Sequence, residues 1–70
     1  MGKQKSLLTK REIQVLQLIC TQYTNQDIAD TLNLNVRTID SFRENLRKKT
    51  ESKNVAGMVV YAIKNGIYKL

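Results

Sequence analysis

Seventy residues with one cysteine, no histidine and no tryptophan leave room for one domain and exclude an intrachain disulfide framework and the usual zinc ligand sets. Twelve Lys and Arg against six Asp and Glu give a net charge of +6, which favours a polyanion partner, either nucleic acid or an acidic membrane surface. The longest unbroken apolar run, Met58 to Ile63, is six residues, far short of a membrane span, and a chain this small buries only about 60% of its unfolded surface.

Residues 1–6 read as a flexible basic lead-in, and the Leu7-Leu8 pair after it is too short for a signal peptide, so a cytoplasmic protein is expected. Thr9-Lys10-Arg11-Glu12 matches a capping box and opens a first helix over about Lys10–Tyr23. Its apolar residues Ile13, Val15, Leu16, Leu18, Ile19, Cys20 and Tyr23 cover a wide arc, as in a helix buried on more than one side. Cys20 fits that arc as a small buried hydrophobe, with no histidine to activate it.

Thr24 and Asp27 repeat the cap signal before a short second helix, Asn25–Leu32, with Ile28, Ala29 and Leu32 inward. Asn33-Leu34-Asn35 forms a turn in which either asparagine can be left-handed or capping. A third helix follows over about Val36–Thr50. Asn54 caps a fourth, Val55–Asn65, which Gly66 closes so that Ile67 and Tyr68 fold back onto the core. Four helices, short joints and no strand signal predict an all-α four-helix bundle containing a helix-turn-helix.

The third helix carries the chemistry. At about 100° per residue, Ile39, Phe42 and Leu46 share a narrow inward arc. Arg37, Asp40, Ser41, Glu44, Arg47 and Lys48 collect on the opposite side, and each can hydrogen-bond a base edge or a phosphate. A face built only for phosphates would be nearly all basic. Asp40 and Glu44 are repelled by phosphates and are useful there only against a donor such as the cytosine amino group, while Arg suits guanine. A plain solvated face would instead pair Glu44 with Lys48 and Asp40 with Arg43. Phosphate anchors are expected at Thr38, Asn45, Arg47, Lys48 and Lys49, with Thr24 and Asn25 at the start of the second helix; Thr24 also serves as a cap.

Together, Leu8-Thr9-x-Arg11-Glu12, Asn25-x-Asp27-Ile28-Ala29, Arg37-Thr38-Ile39 and Val59-x-Tyr61-Ala62-Ile63-Lys64-Asn65-Gly66-Ile67 resemble the LuxR/FixJ-type (GerE-like) helix-turn-helix domain of bacterial transcription regulators. The resemblance spans about residues 7–68. It implies a third helix in the major groove of double-stranded DNA, with Asp40, Ser41 and Glu44 reading bases; Arg37, on the same face and suited to guanine, is expected to join them. Many such domains are the output half of a two-component response regulator; others are small free-standing regulators. RNA polymerase is a further partner the resemblance implies, and neither a cofactor nor a catalytic residue is expected.

Relatives often carry a basic residue at Asp40, His at Phe42, Gly at Gln22 and an apolar residue at Thr50. Phe42 is then expected to repack the core edge, and Gln22 to alter the turn between the first two helices. In the fourth helix Val55, Met58, Val59 and Ala62 form the inward stripe, and Val60 and Ile63 widen it. That width fits either a wedged helix or a two-fold homodimer contact at Val60, Tyr61 and Lys64. A membrane-surface peptide is disfavoured by the absence of Trp and of a sustained Lys/Arg stripe, whereas a helical protein-interaction module remains the rival reading.

Overall fold

A computed structural model describes residues 8–70; the lead-in expected at residues 1–6 lies outside them. The described residues form four helices and no strand: α1 Lys10–Cys20, α2 Asn25–Leu32, α3 Val36–Lys49 and α4 Val55–Lys64. Each start has a local cause. Thr9 Oγ1 accepts from the Glu12 amide at 3.1 Å while the Thr9 amide donates to Glu12 Oε1 at 2.9 Å. Thr24 and Asp27 repeat that exchange at 3.1 and 3.0 Å. Asn35 and Asn54 each cap with their side-chain oxygen, accepting from Thr38 and Gly57 amides at 2.9 and 3.1 Å.

The helix ends share one device. Gln22, Asn33, Glu51 and Gly66 all have left-handed backbones, with φ of 69, 60, 54 and 72°. In each case the next residue's amide reaches back five positions: Tyr23 to Leu18, Leu34 to Ala29, Ser52 to Arg47 and Ile67 to Ala62, at 2.8–3.2 Å. These are Schellman closures, which satisfy carbonyls the helix leaves unpaired. They correct the predicted helix ends. The first helix stops at Cys20, leaving Tyr23 outside it and 41% exposed. The third stops at Lys49, with Thr50 as its cap. At Gln22, where relatives often have glycine, the turn is a left-handed one that glycine would adopt without strain.

The core gathers Leu8, Val15, Leu16, Ile19, Ile28, Ala29, Ile39, Leu46, Met58 and Ala62. α1 packs against all three other helices, and α2 lies against α3 as the first half of the helix-turn-helix. Phe42 is half-buried at the core edge, as its place on the apolar arc predicts. Val55, predicted to face inward, is instead exposed at the first position of α4. Thr50, where the resemblance leads one to expect an apolar side chain, is buried; its hydroxyl donates to the Leu46 carbonyl at 2.7 Å and lies 2.7 Å from Ser52 Oγ.

A left-handed conformation costs a residue with a Cβ about 1–2 kcal/mol, offset in part by the roughly 0.5–1 kcal/mol of extra chain entropy that glycine loses on folding. Gln22→Gly is therefore expected to stabilise the domain by about 0.5–1 kcal/mol, raising the thermal midpoint by several degrees. A circular-dichroism melt at or below the wild-type midpoint would show that the Gln22 side chain compensates for its backbone.

Candidate nucleic-acid interface

Ile39 and Leu46 are fully buried and seat α3 against the rest of the domain. On its far side Arg37, Asp40, Ser41, Glu44, Asn45 and Lys48 are exposed. Their spacing of alternately three and one residues draws a single stripe along the helix. The stripe differs from the predicted one in one exchange. Asn45, expected on a shoulder, lies within it; Arg47, expected within it, is half-buried on its flank.

Neither carboxylate makes the pair expected of a plain solvated face. Asp40 Oδ1 accepts from Asn25 Nδ2 at 2.7 Å, a bond that joins the first residue of α2 to the exposed stripe of α3. Glu44 pairs with Arg47 rather than Lys48, at 2.7 and 3.3 Å. That hydrogen-bonded guanidinium lowers the Glu44 carboxyl from its ordinary range. Both partners are open to solvent, so this ion pair is weak and easily exchanged.

The flanking residues divide into engaged and open groups. Thr24 holds the cap of α2, and Thr38 Oγ1 donates to Asn35 Oδ1 at 3.0 Å. Arg37 and Lys48 are exposed, with no ion pair among the described residues. Lys49 is committed elsewhere: its Nζ sits 2.9 and 3.0 Å from the two carboxylate oxygens of Glu12. Glu12 is buried, with 5% of its side chain exposed, while Lys49 remains about a third open at 36%.

Glu12 is the site residue that sequence reading passed over. Its capping-box role was legible, but its link to α3 joins residues 37 positions apart, a separation no local pattern reports. Burial pushes its carboxyl up, but the Thr9 amide and the Lys49 ammonium together outweigh burial and hold it below the ordinary 4.5.

On α4, Val60 is 50% exposed, Lys64 is exposed and Tyr61 is half-buried against the core. Among the described residues no group of His, Cys, Asp or Glu is placed to hold a metal ion. No helix there is long and apolar enough to cross a membrane.

A short helix and tight turn that present a second helix's polar stripe to solvent define a helix-turn-helix DNA-binding domain. The sequence matches the family "Bacterial regulatory proteins, luxR family" over residues 6–62, and the chain belongs to that family. It is 40% identical over 60 residues to the transcriptional regulatory protein MctR of Rhizobium johnstonii, covering 86% of this chain and 28% of that protein. It is 36% identical over 58 residues to the oxygen regulatory protein NreC of Staphylococcus haemolyticus, covering 83% of this chain and 27% of that one. The response regulator protein VraR of Staphylococcus aureus is 31% identical over 61 residues, covering 87% and 29%. The chain thus spans little more than a quarter of these relatives' lengths. The structure of the transcription factor GerE shares the fold, with a TM-score of 0.83 at 24% identity, covering 90% of this chain and 94% of that one.

Because folding depresses the Glu12 carboxyl, its contribution to stability is complete above the ordinary carboxylate value of 4.5 and is lost as pH falls through the lower folded-state value. Glu12→Gln should flatten the acid limb of a stability–pH curve measured by urea denaturation. Lys49→Ala leaves a buried carboxylate short of a donor and should cost about 1–2 kcal/mol, the low end of such losses because the lysine is partly solvated. An acid limb unchanged in Glu12→Gln would assign acid sensitivity to other carboxylates.

Proposed function

We propose that this domain reads a specific operator by laying α3 in the major groove. The observation that carries the reading is the continuous polar stripe Arg37, Asp40, Ser41, Glu44, Asn45 and Lys48 opposite buried Ile39 and Leu46. Asp40, Ser41 and Glu44, with Arg37 at the leading end, take the base-edge contacts. Lys48 and Asn45, with Thr24, Thr38 and Arg47 around them, face phosphates, whereas the amide of Asn25, expected among these anchors, is given to Asp40. Lys49 reaches a phosphate only by sharing its ammonium with Glu12.

Two copies bind a near-palindromic site through α4, with exposed Val60 and Lys64 and half-buried Tyr61 bordering the two-fold contact. The likeness to VraR, a response regulator protein, supports a role as the output part of a two-component system in the cytoplasm, where the bound dimer acts on transcription by RNA polymerase.

Selection of bound duplexes from a random pool at near-physiological salt tests the reading. Two related half-sites about one helical turn apart support it; no enrichment, with binding that vanishes in modest salt, overturns it. On the recovered operator, Glu44→Ala should relax preference at one base pair by about 5- to 100-fold. Lys48→Ala should weaken binding to every sequence and reduce the salt slope by about 0.9 for the lost phosphate contact. Equal effects of both substitutions on all sequences would defeat this division of labour. For the dimer, Val60→Glu should reduce operator affinity and its dependence on protein concentration; unchanged binding would remove α4 from the interface.

A further inference from the structure

We propose that Asn25 is a specificity-determining positioning residue: it holds the Asp40 carboxylate so that its second oxygen, an obligate acceptor, selects an exocyclic amino group in the major groove. The inference rests on α3 as the reader helix and adds a residue of α2 to the reading apparatus. It starts from the 2.7 Å bond between Asn25 Nδ2 and Asp40 Oδ1, made between two helices by residues 15 apart in the sequence.

The bond lies at the surface, but its Asn25 end is seated in the fold. Asn25 is half-buried at the first position of α2, directly after the Thr24 cap. α2 in turn is fixed to α3 through buried Ile28, Ala29 and Ile39 and through the tight turn closed by the Leu34 amide on the Ala29 carbonyl at 2.8 Å. The Glu44–Arg47 pair offers a contrast. It lies within one helix, between two long side chains that are 52% and 42% exposed, and can open without disturbing any packing.

Asp40 differs from Glu44 in a second way: no cation pairs with it among the described residues. A short unpaired carboxylate approaching phosphates lowers its energy by turning toward solvent. The amide of Asn25 opposes that turn. With Oδ1 occupied, Oδ2 has no protein donor among the described hydrogen bonds. The donors that a base pair offers in the major groove are the 4-amino group of cytosine and the 6-amino group of adenine; guanine N7 and O6 and thymine O4 would meet the anion with like polarity. One pair in each half-site is therefore required to present cytosine or adenine to Asp40, and the strength of that requirement depends on Asn25.

The test uses the operator obtained by selection. The pair read by Asp40 is the one whose preference disappears in Asp40→Ala. At that pair, cytosine is replaced by 2-pyrimidinone, or adenine by purine, each lacking only the amino group. The readout is the ratio of affinities for the normal and substituted duplexes. Wild type is expected to show a ratio of about 5- to 100-fold. Asn25→Ala should bring it close to the Asp40→Ala value, and adding Asp40→Ala to Asn25→Ala should change it no further. Asn25→Asp, nearly isosteric and favourable at a helix N-terminus, should do the same while preserving the start of α2. If the Asn25 variants lower both affinities by one factor and keep the ratio, Asn25 is a phosphate contact and the proposal fails. If Asp40→Ala relaxes no pair while Glu44→Ala does, the proposal fails with the reader helix intact. If wild type recovers no motif at all, the groove reading itself falls.

Discussion

The burial of Ile39 and Leu46 is the constraint on which the rest of the interface depends. The two side chains stand two turns apart on one line of α3, about 10.5 Å along its axis. Turning the helix by one residue about that axis would expose both and press Asp40 and Arg47, or Thr38 and Asn45, toward the core, at a desolvation cost this small domain has no reserve to meet. The rotational setting of α3 is thus decided on its apolar side. What faces outward follows from it, as does the side on which Asn25 can reach Asp40 and Glu12 can reach Lys49.

Those two side-chain bonds act at opposite flanks of the same helix. Asn25 reaches Asp40 near the α3 N-terminus, from α2. Glu12 reaches Lys49 at the C-terminus, from α1, and its other contact is the Thr9 amide that starts α1. The capping box of one helix therefore doubles as the socket for the last residue of another. Local helix initiation and long-range packing share a carboxylate, so a change at Glu12 disturbs both.

What was legible in the sequence follows the range of the interaction. The caps at Thr9, Thr24 and Asn54 and the inward arc of α3 depend on residues three or four apart, and the predicted α2 bounds match the structure. Gly66 and the Asn33-Leu34-Asn35 turn also announced their roles, with Asn33 taking the left-handed closure and Asn35 the cap of α3. Gln22 and Glu51 did not, because neither residue type favours a positive φ; the chain is forced into it where α1 and α3 must stop for the next helix to return. Asn25–Asp40 and Glu12–Lys49 were invisible because helical periodicity says which face a residue occupies and nothing about its neighbour on another helix. The swap of Asn45 and Arg47 has the same origin: an isolated wheel centres the polar arc on the residues of α3 alone, whereas α1 and α2 together decide which flank stays open.

The arrangement also changes how the net charge of +6 is to be understood. Of the five basic residues on α3, Arg47 and Lys49 are paired with carboxylates, leaving Arg37, Arg43 and Lys48 without ion pairs among the described residues. Phosphate attraction scales with the cations delivered to the backbone, so the helix supplies less sequence-independent affinity than its composition promises. Two carboxylates on the exposed stripe lower that affinity further. In the proposed binding mode they are compensated only when each meets a donor, and a wrong base leaves an anion facing an acceptor. In the proposed role Asn25 strengthens this condition at Asp40 by opposing its turn toward solvent, whereas the solvated Arg47 lets Glu44 adapt. In that mode the domain's discrimination comes from what its carboxylates reject as much as from what its cations attract, and the proposed second copy would supply by symmetry the affinity that a single stripe gives up.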